Sequence, residues 1–153
     1  MKLTHVDEQG RARMVDVGDK PVSERTAVAE GAISMSREAY ERVAGQAVAK
    51  GDVLGIAEVA GVMGAKRTGE LIPLCHPLGL DLVRVEARLD EGLPGVRVLA
   101  TAKVTARTGV EMEALTAVSV ALLTVYDMVK AIDRSMVIGD VRLVSKTKRE
   151  VTS

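Results

Sequence analysis

The sequence predicts an α+β sandwich, an antiparallel sheet with helices on one face, and three observations predict it. Val83, Val85, Ala87 and Leu89 alternate with Arg84, Glu86 and Arg88, the period-two pattern of a half-buried strand. Gly92 to Gly95 then supplies a turn into a second strand, Val96 to Ala106, so the two read as an antiparallel hairpin. Helical spacing of apolar residues precedes and follows that hairpin, and each helical stretch is paired with a further strand.

In order along the chain, residues 1–26 are polar, carry Gly10, Gly18 and Pro21, and read as a flexible N-terminal arm with at most short extended pieces. Ala27 to Met35 reads as a strand. Ser36 stands where an N-cap belongs, before a helix from Arg37 to about Ala49 that stops at Gly51. Asp52 can cap the next helix directly. That helix, Val53 to about Ala65, has Val53, Leu54, Ile56, Val59, Val62 and Met63 against one charge, Glu58, so most of its surface is expected to be buried. Its end delivers Lys66 and Arg67. After the hairpin a long helix runs from about Glu111 to Asp133, and Gly139 opens a last strand, Val141 to Lys146, before a charged tail. Strand, two helices, hairpin, helix and strand give the order of a ferredoxin-like sandwich.

Composition bounds the function. The 153 residues, 47% of them hydrophobic, suit one domain spanning 1–153. Lys plus Arg and Asp plus Glu each total 21, so the chain is neutral and is expected to bind neither nucleic acid nor anionic membrane in a general way. Aromatic content of 1%, with only Tyr40 and Tyr126, removes the stacking platforms of single-strand binders. The lone Cys75 cannot form an intrachain disulfide, and with only His5 and His76 beside it the chain falls short of a structural zinc spacing. The start of the chain lacks an apolar signal core, and the longest uncharged, largely apolar run, Ala114 to Tyr126, is shorter than a membrane span. A soluble cytoplasmic protein is the expectation.

Ionisable residues in otherwise apolar sequence mark the candidate site, because burying an unpaired charge costs several kcal/mol. The stretch Lys66 to Pro77, the run Glu111-Met112-Glu113, and Asp127 with Lys130 supply them. Asp127 and Lys130, at i and i+3 on one helix, are near enough for a solvated ion pair or for an acid/base pair. Pro73 and Pro77 bracket Leu74-Cys75-His76, a rigid way to present side chains from a loop. His76 can bind phosphate or move a proton, or be a hydrogen-bonded structural residue. Cys75 reads as a small buried residue rather than half of a Cys-His dyad. Gly61 to Thr68 looks superficially like a P-loop but fails, since no Gly immediately precedes Lys66 and a helix rather than a strand leads in. Lys66, Arg67, Lys50, Lys103 and Lys146 could still hold phosphates or simply be solvated. On the long helix, Glu113, Thr116, Val120, Asp127 and Lys130 fall near one stripe, yet Glu113 and Asp127 lie roughly 21 Å apart at 1.5 Å rise. They serve different sites, or one site borrows ends from two subunits. Small residues, Ala114, Ala117, Ser119 and Ala121, keep this helix slim enough for close approach by another helix or subunit.

Lys50-Gly51-Asp52-Val53, Ala65-Lys66-Arg67-Thr68, Leu71-Ile72-Pro73-Leu74-Cys75-His76-Pro77-Leu78, Thr108-Gly109-Val110-Glu111-Met112-Glu113-Ala114-Leu115-Thr116, Tyr126-Asp127-Met128 and Met136-Val137-Ile138-Gly139 stand in an order that resembles the C protein of molybdenum cofactor biosynthesis, the cyclic pyranopterin monophosphate synthase family. The resemblance runs from Thr4-His5 through Met14-Val15-Asp16-Val17 to Lys146. It implies a ferredoxin-like subunit, a hexamer built as a trimer of dimers, and active sites at the dimer interface. It also implies conversion of a cyclised dihydro-GTP into cyclic pyranopterin monophosphate with release of pyrophosphate, and neither an organic cofactor nor a metal. By motif, the resemblance makes Asp127 and Lys130 the acid/base pair and Lys50 a catalytic or phosphate-holding lysine. It makes Leu74, Cys75, His76, Glu111, Met112 and Glu113 substrate-binding, and carries Lys66, Arg67, Lys146 and Arg25 to the triphosphate. Gly55, Gly64 and Gly69 depart from the alanine or small polar residues it leads one to expect. A non-catalytic purine-nucleotide-binding regulatory module would share the cationic residues but not need Asp127 beside Lys130, and a purely structural oligomerisation protein would explain only the slim helix.

Overall fold

The computed structural model describes residues 4–151. Four strands form one antiparallel sheet in the order β2-β3-β1-β4: β1 is Ser23–Ser34, β2 Leu82–Asp90, β3 Gly95–Ala106 and β4 Val137–Glu150. The helices are α1 (Arg37–Ala44), α2 (Val53–Lys66), the single turn α3 (Thr68–Leu71) and α4 (Glu111–Val129). Helices α2 and α4 lie side by side on one face of the sheet, the α+β ferredoxin-like arrangement that the element order predicts.

With no Phe or Trp, the core is built from small side chains. Ala27, Ala29, Val96, Val98, Ala100, Ala102 and Val104 on the sheet meet Ala114, Ala117, Val118, Ala121, Leu122 and Val125 on α4, all nearly or fully buried. Short side chains let the layers sit close. A Cβ on Gly31 of β1 would stand 2.8 Å from Val118 Cγ1 and 2.9 Å from Leu122 Cδ1, so α4 rests directly on that strand. A Cβ on Gly61 of α2 would stand 2.9 Å from the Ala117 carbonyl, and one on Gly64 would stand 2.7 Å from Val120 Cγ2. Glycine at these two positions is what packs α2 onto α4. The outer strand β2 is guarded from α2, where Glu58 Oε1 accepts the Ala87 amide at 2.9 Å.

The predicted caps hold: Ser36 Oγ accepts from Ala39 N at 3.1 Å, and Asp52 Oδ1 from Gly55 N at 3.0 Å. Several boundaries move. Helix α1 ends at Ala44 rather than Ala49, because Gly45 donates back to Glu41 and Gln46 turns to a left-handed φ of 52°. Helix α4 ends at Val129 rather than Asp133, since Asp133 turns away to accept from Ser36 N at 2.7 Å and Ser135 N at 2.8 Å. β1 begins at Ser23, inside the stretch read as arm, and so takes in Arg25. β4 spans fourteen residues instead of six, with Gly139 and the positive-φ Asp140 at a bulge within it rather than at its start. α2 is less buried than its composition suggests: Ile56, Val59 and Met63 are exposed.

Candidate active site

Both ends of α4 carry ionised groups, and different parts of the chain converge on each. The segment entering α4 offers no capping side chain at Val110, so the first-turn acids Glu111 and Glu113 take that part, each carboxylate receiving its own backbone amide. Glu111 folds across Gly109, where any Cβ would collide with its carboxylate.

The Leu74–His76 loop reaches the same place through the end of α2. Thr68, fully buried, donates its hydroxyl to the Gly64 carbonyl at 3.2 Å, and Ile72 N then bonds Thr68 O, which makes the turn α3. Cys75 N closes a further turn on Ile72 O at 3.1 Å, and Gly69 lets Pro77 pass close by, its would-be Cβ 3.1 Å from Pro77 Cα. The result is a cavity of about 280 Å³ between Leu74-Cys75-His76 and Thr108-Gly109, Glu111-Met112-Glu113. His5, Val15, Val17 and Lys20, from the segment before β1, line it as well. Asp7 steadies that segment, accepting from Gln9 N and Arg11 N and pairing with the Arg11 side chain at 2.8 Å. This volume suits one ring system, at the small end of ligand pockets of roughly 300–1,000 Å³.

Inside the cavity Glu113 is 4% exposed and, among the described residues, pairs with no cation. Burial pushes its carboxyl above the ordinary value, and the Glu111 charge adds to the rise. Burial likewise pushes up the half-buried Cys75 thiol, with the Glu113 charge second. Glu111 behaves oppositely: partial burial raises it, but its own amide and the Lys146 ammonium, 3.0 Å away, outweigh that and hold it below the ordinary value. Lys146 and Arg25 lie beside this cavity, on β4 and β1, in an adjoining one that shares Gly109 and Glu111.

At the other end of α4 Asp127 sits between two ammonium groups. Lys130 Nζ lies 2.8 Å from one carboxylate oxygen, and Lys50 Nζ 2.9 Å from the other. Lys50 arrives from the loop before α2, which Gly51 turns with a φ of 98°, and also donates to the Asp127 backbone carbonyl at 3.0 Å. It thus satisfies a last-turn acceptor at the negative end of the helix dipole. Lys130, then Lys50, hold the Asp127 carboxyl down to about 2. All three side chains are half exposed or more, so solvent screens the pairs and fold stability is not what the arrangement supplies.

Of the predicted site residues, the structure thus gathers Leu74, Cys75, His76, Glu111, Met112 and Glu113 at one end of α4, and Asp127, Lys130 and Lys50 at the other. Lys66 and Arg67 join neither group; they are exposed at the junction of α2 and α3. Reading residues alone did not find Lys20 in the cavity, nor Lys148 beside Lys146 and Arg25. The signal for Lys148 was present in its two-residue spacing from Lys146, but the strand was ended at Lys146. Among the described residues no cluster of three His, Cys, Asp or Glu side chains could hold a metal ion.

A ferredoxin-like domain with a ring-sized cavity and a lysine-clamped carboxylate at opposite ends of one core helix defines a class: small α+β proteins equipped to bind and transform an anionic small molecule. The chain belongs to the MoaC family, whose profile matches residues 14–149. It is 58% identical over 149 residues to the cyclic pyranopterin monophosphate synthase of Brucella canis, covering 97% of this chain and 90% of that protein. The synthase of Brucella suis biovar 1 matches to the same extent. That of Brucella ovis is 58% identical over 146 residues, covering 95% of this chain and 88% of the relative.

Proposed function

We propose that the chain is a cyclic pyranopterin monophosphate synthase, a lyase that converts 3',8-cyclo-7,8-dihydro-GTP to cyclic pyranopterin monophosphate and pyrophosphate in molybdenum cofactor biosynthesis. Family membership and synthase relatives at 58% identity support this over a non-catalytic nucleotide-binding module. The observation that carries the site is the clamp on Asp127. A regulatory module has no use for a carboxylate held ionised between two ammonium groups, whereas ring opening and reclosure require proton donors and acceptors fixed side by side.

In this reading the purine-derived ring occupies the cavity of Leu74, Cys75, His76, Met112 and Glu113. Glu113 accepts from ring N–H donors, which adds to its own backbone amide and offsets the burial of a carboxylate that pairs with no cation among the described residues. Asp127 keeps the Lys50 and Lys130 ammonium groups in place; a lysine gives a proton to the rearranging ring and, as the amine so formed, takes one back, while the charged partner steadies phosphate charge as the cyclic phosphate closes. Arg25 and Lys146, with Lys66 and Arg67 from other surfaces, serve the triphosphate, because departure of pyrophosphate needs clustered cations. The roughly 21 Å between the two ends of α4 is too long for one small substrate, so each site takes the Glu113 end from one copy and the Asp127 end from another. The exposed stripe Ile56, Val59, Met63 on α2 supports such assembly, a hexamer as a trimer of dimers. The enzyme acts in the cytoplasm as a single domain over 1–153, with residues 4–22 as its arm.

Purified wild type is expected to turn the cyclised dihydro-GTP into cyclic pyranopterin monophosphate and pyrophosphate. Asp127→Ala and Lys130→Ala should each lose about 10²–10⁴-fold in turnover while still binding substrate. Turnover surviving both substitutions would move the acid/base work elsewhere, and a wild type that binds but never converts would leave the regulatory module standing.

A further inference from the structure

The ring cavity of about 280 Å³ carries Lys20 as its one lysine or arginine, whereas the adjoining cavity of about 220 Å³, reached past Gly109 and Glu111, is lined by three cations. In the β1–β4 register Arg25 stands directly opposite Lys148, and Ala27 opposite Lys146. Two-residue spacing puts Lys146 and Lys148 on the same face of β4. Like charges directly opposite across a sheet are destabilising, so this pair is unfavourable while nothing lies between them. The one carboxylate in the lining, Glu111, is taken by Lys146 at 3.0 Å. Arg25 reaches the Arg107 carbonyl at 3.3 Å through Nη2, while its Nε is buried with no hydrogen-bond partner. Lys148 makes no ion pair among the described residues. Three cations against one carboxylate, with a buried N–H left over, are the electrostatics of a site built for a bound polyanion.

We propose that Lys148 is a phosphate-holding residue, acting with Arg25 and Lys146 on the polyphosphate tail of a ligand whose ring fills the adjoining cavity. This rests on the synthase reading for the ligand's identity but not for its chemistry. A linear chain of two or three phosphates, lying over the paired strands β1 and β4 with its oxygens between the Arg25 and Lys148 side chains, accepts the idle Arg25 N–H and relieves the cross-strand repulsion.

Inorganic tripolyphosphate is the probe, titrated calorimetrically into the full-length chain at low salt. Lys148→Ala should weaken binding about tenfold and flatten its salt dependence, Lys148→Arg should restore most of the affinity, and Arg142→Ala, which removes a cation from the opposite face of the sheet, should do neither. Without ligand, Lys148→Ala should melt no lower than wild type, since it removes a repulsion from an exposed strand. Equal tripolyphosphate affinity in wild type and Lys148→Ala, or a lowered ligand-free melting temperature, overturns the assignment. The two readings fail separately. Lys148-dependent tripolyphosphate binding without turnover sinks the synthase alone, and turnover with an unchanged KM in Lys148→Ala sinks the role of Lys148 alone.

Discussion

Glu113 and Asp127 are both carboxylates on α4, yet their surroundings drive them in opposite directions. Glu113 is buried without a cation, so its folded pKa lies above the ordinary 4.5. Its penalty is therefore absent below that value and grows as pH rises through the folded pKa, which lowers stability toward neutrality. Glu113→Gln should raise the melting temperature at pH 7 by roughly 2–4 °C, the shift for about 1 kcal/mol in a domain of this size, and leave it unchanged at pH 4. Melting curves across that range decide it; a variant no more stable at pH 7 would mean the carboxylate is already satisfied. Asp127, held at about 2 by exposed, solvent-screened ammonium groups, adds little to fold stability, and the little it adds is complete above the ordinary 3.8 and fades as pH falls through 2. It is ionised throughout the working range, so the pH–rate profile should show no acid limb from it above about pH 4. Such a limb, shifted by Asp127→Asn, would contradict the clamp. The sequence made the pairing of Asp127 with Lys130 legible, because i and i+3 on a helix are neighbours. Lys50 is seventy-seven positions away, and the resemblance marked it as catalytic or phosphate-holding without pairing it with Asp127.

Among the elements, the hairpin and α2 were read nearly to the residue, since period-two alternation and an Asp cap are local signals. Helix ends were read too long wherever a tertiary partner stops the helix, as Asp133 does by bonding Ser36 and Ser135. β4 was read too short because its outer half is charged and carries no core alternation; its pairing with β1 sustains it. Gly64 read only as a departure from the alanine or small polar residue the resemblance leads one to expect, but with Gly61 it forms the contact between α2 and α4. Alanine gains about 1 kcal/mol over glycine by helix propensity, so Gly61→Ala would stabilise an isolated helix. Here its Cβ meets the Ala117 carbonyl at 2.9 Å and Val85 at 3.0 Å, and the expected net effect is a loss of about 1–3 kcal/mol in urea unfolding. A gain in stability would show that the two helices can separate without cost.

For the whole molecule, the composition that made α2 seem mostly buried instead foretold a surface. Val59 is 61% exposed, Met63 53% and Ile56 45%, on consecutive turns of one helix face. Val59→Asp should shift the sedimenting species toward the single-chain mass while leaving the melting of the isolated fold nearly intact; an unchanged assembly would move the interface elsewhere. A one-chain reading of sequence shows which residues avoid water but not whether their own chain or another covers them. The span of α4 adds a genetic consequence. When each working site draws on opposite ends of this helix from different copies, a protein disabled at Glu113 and one disabled at Asp127 are both dead alone, yet their mixture rebuilds some sites with both ends intact. Two such alleles in one cell should complement each other, whereas two alleles damaged at the same end should not.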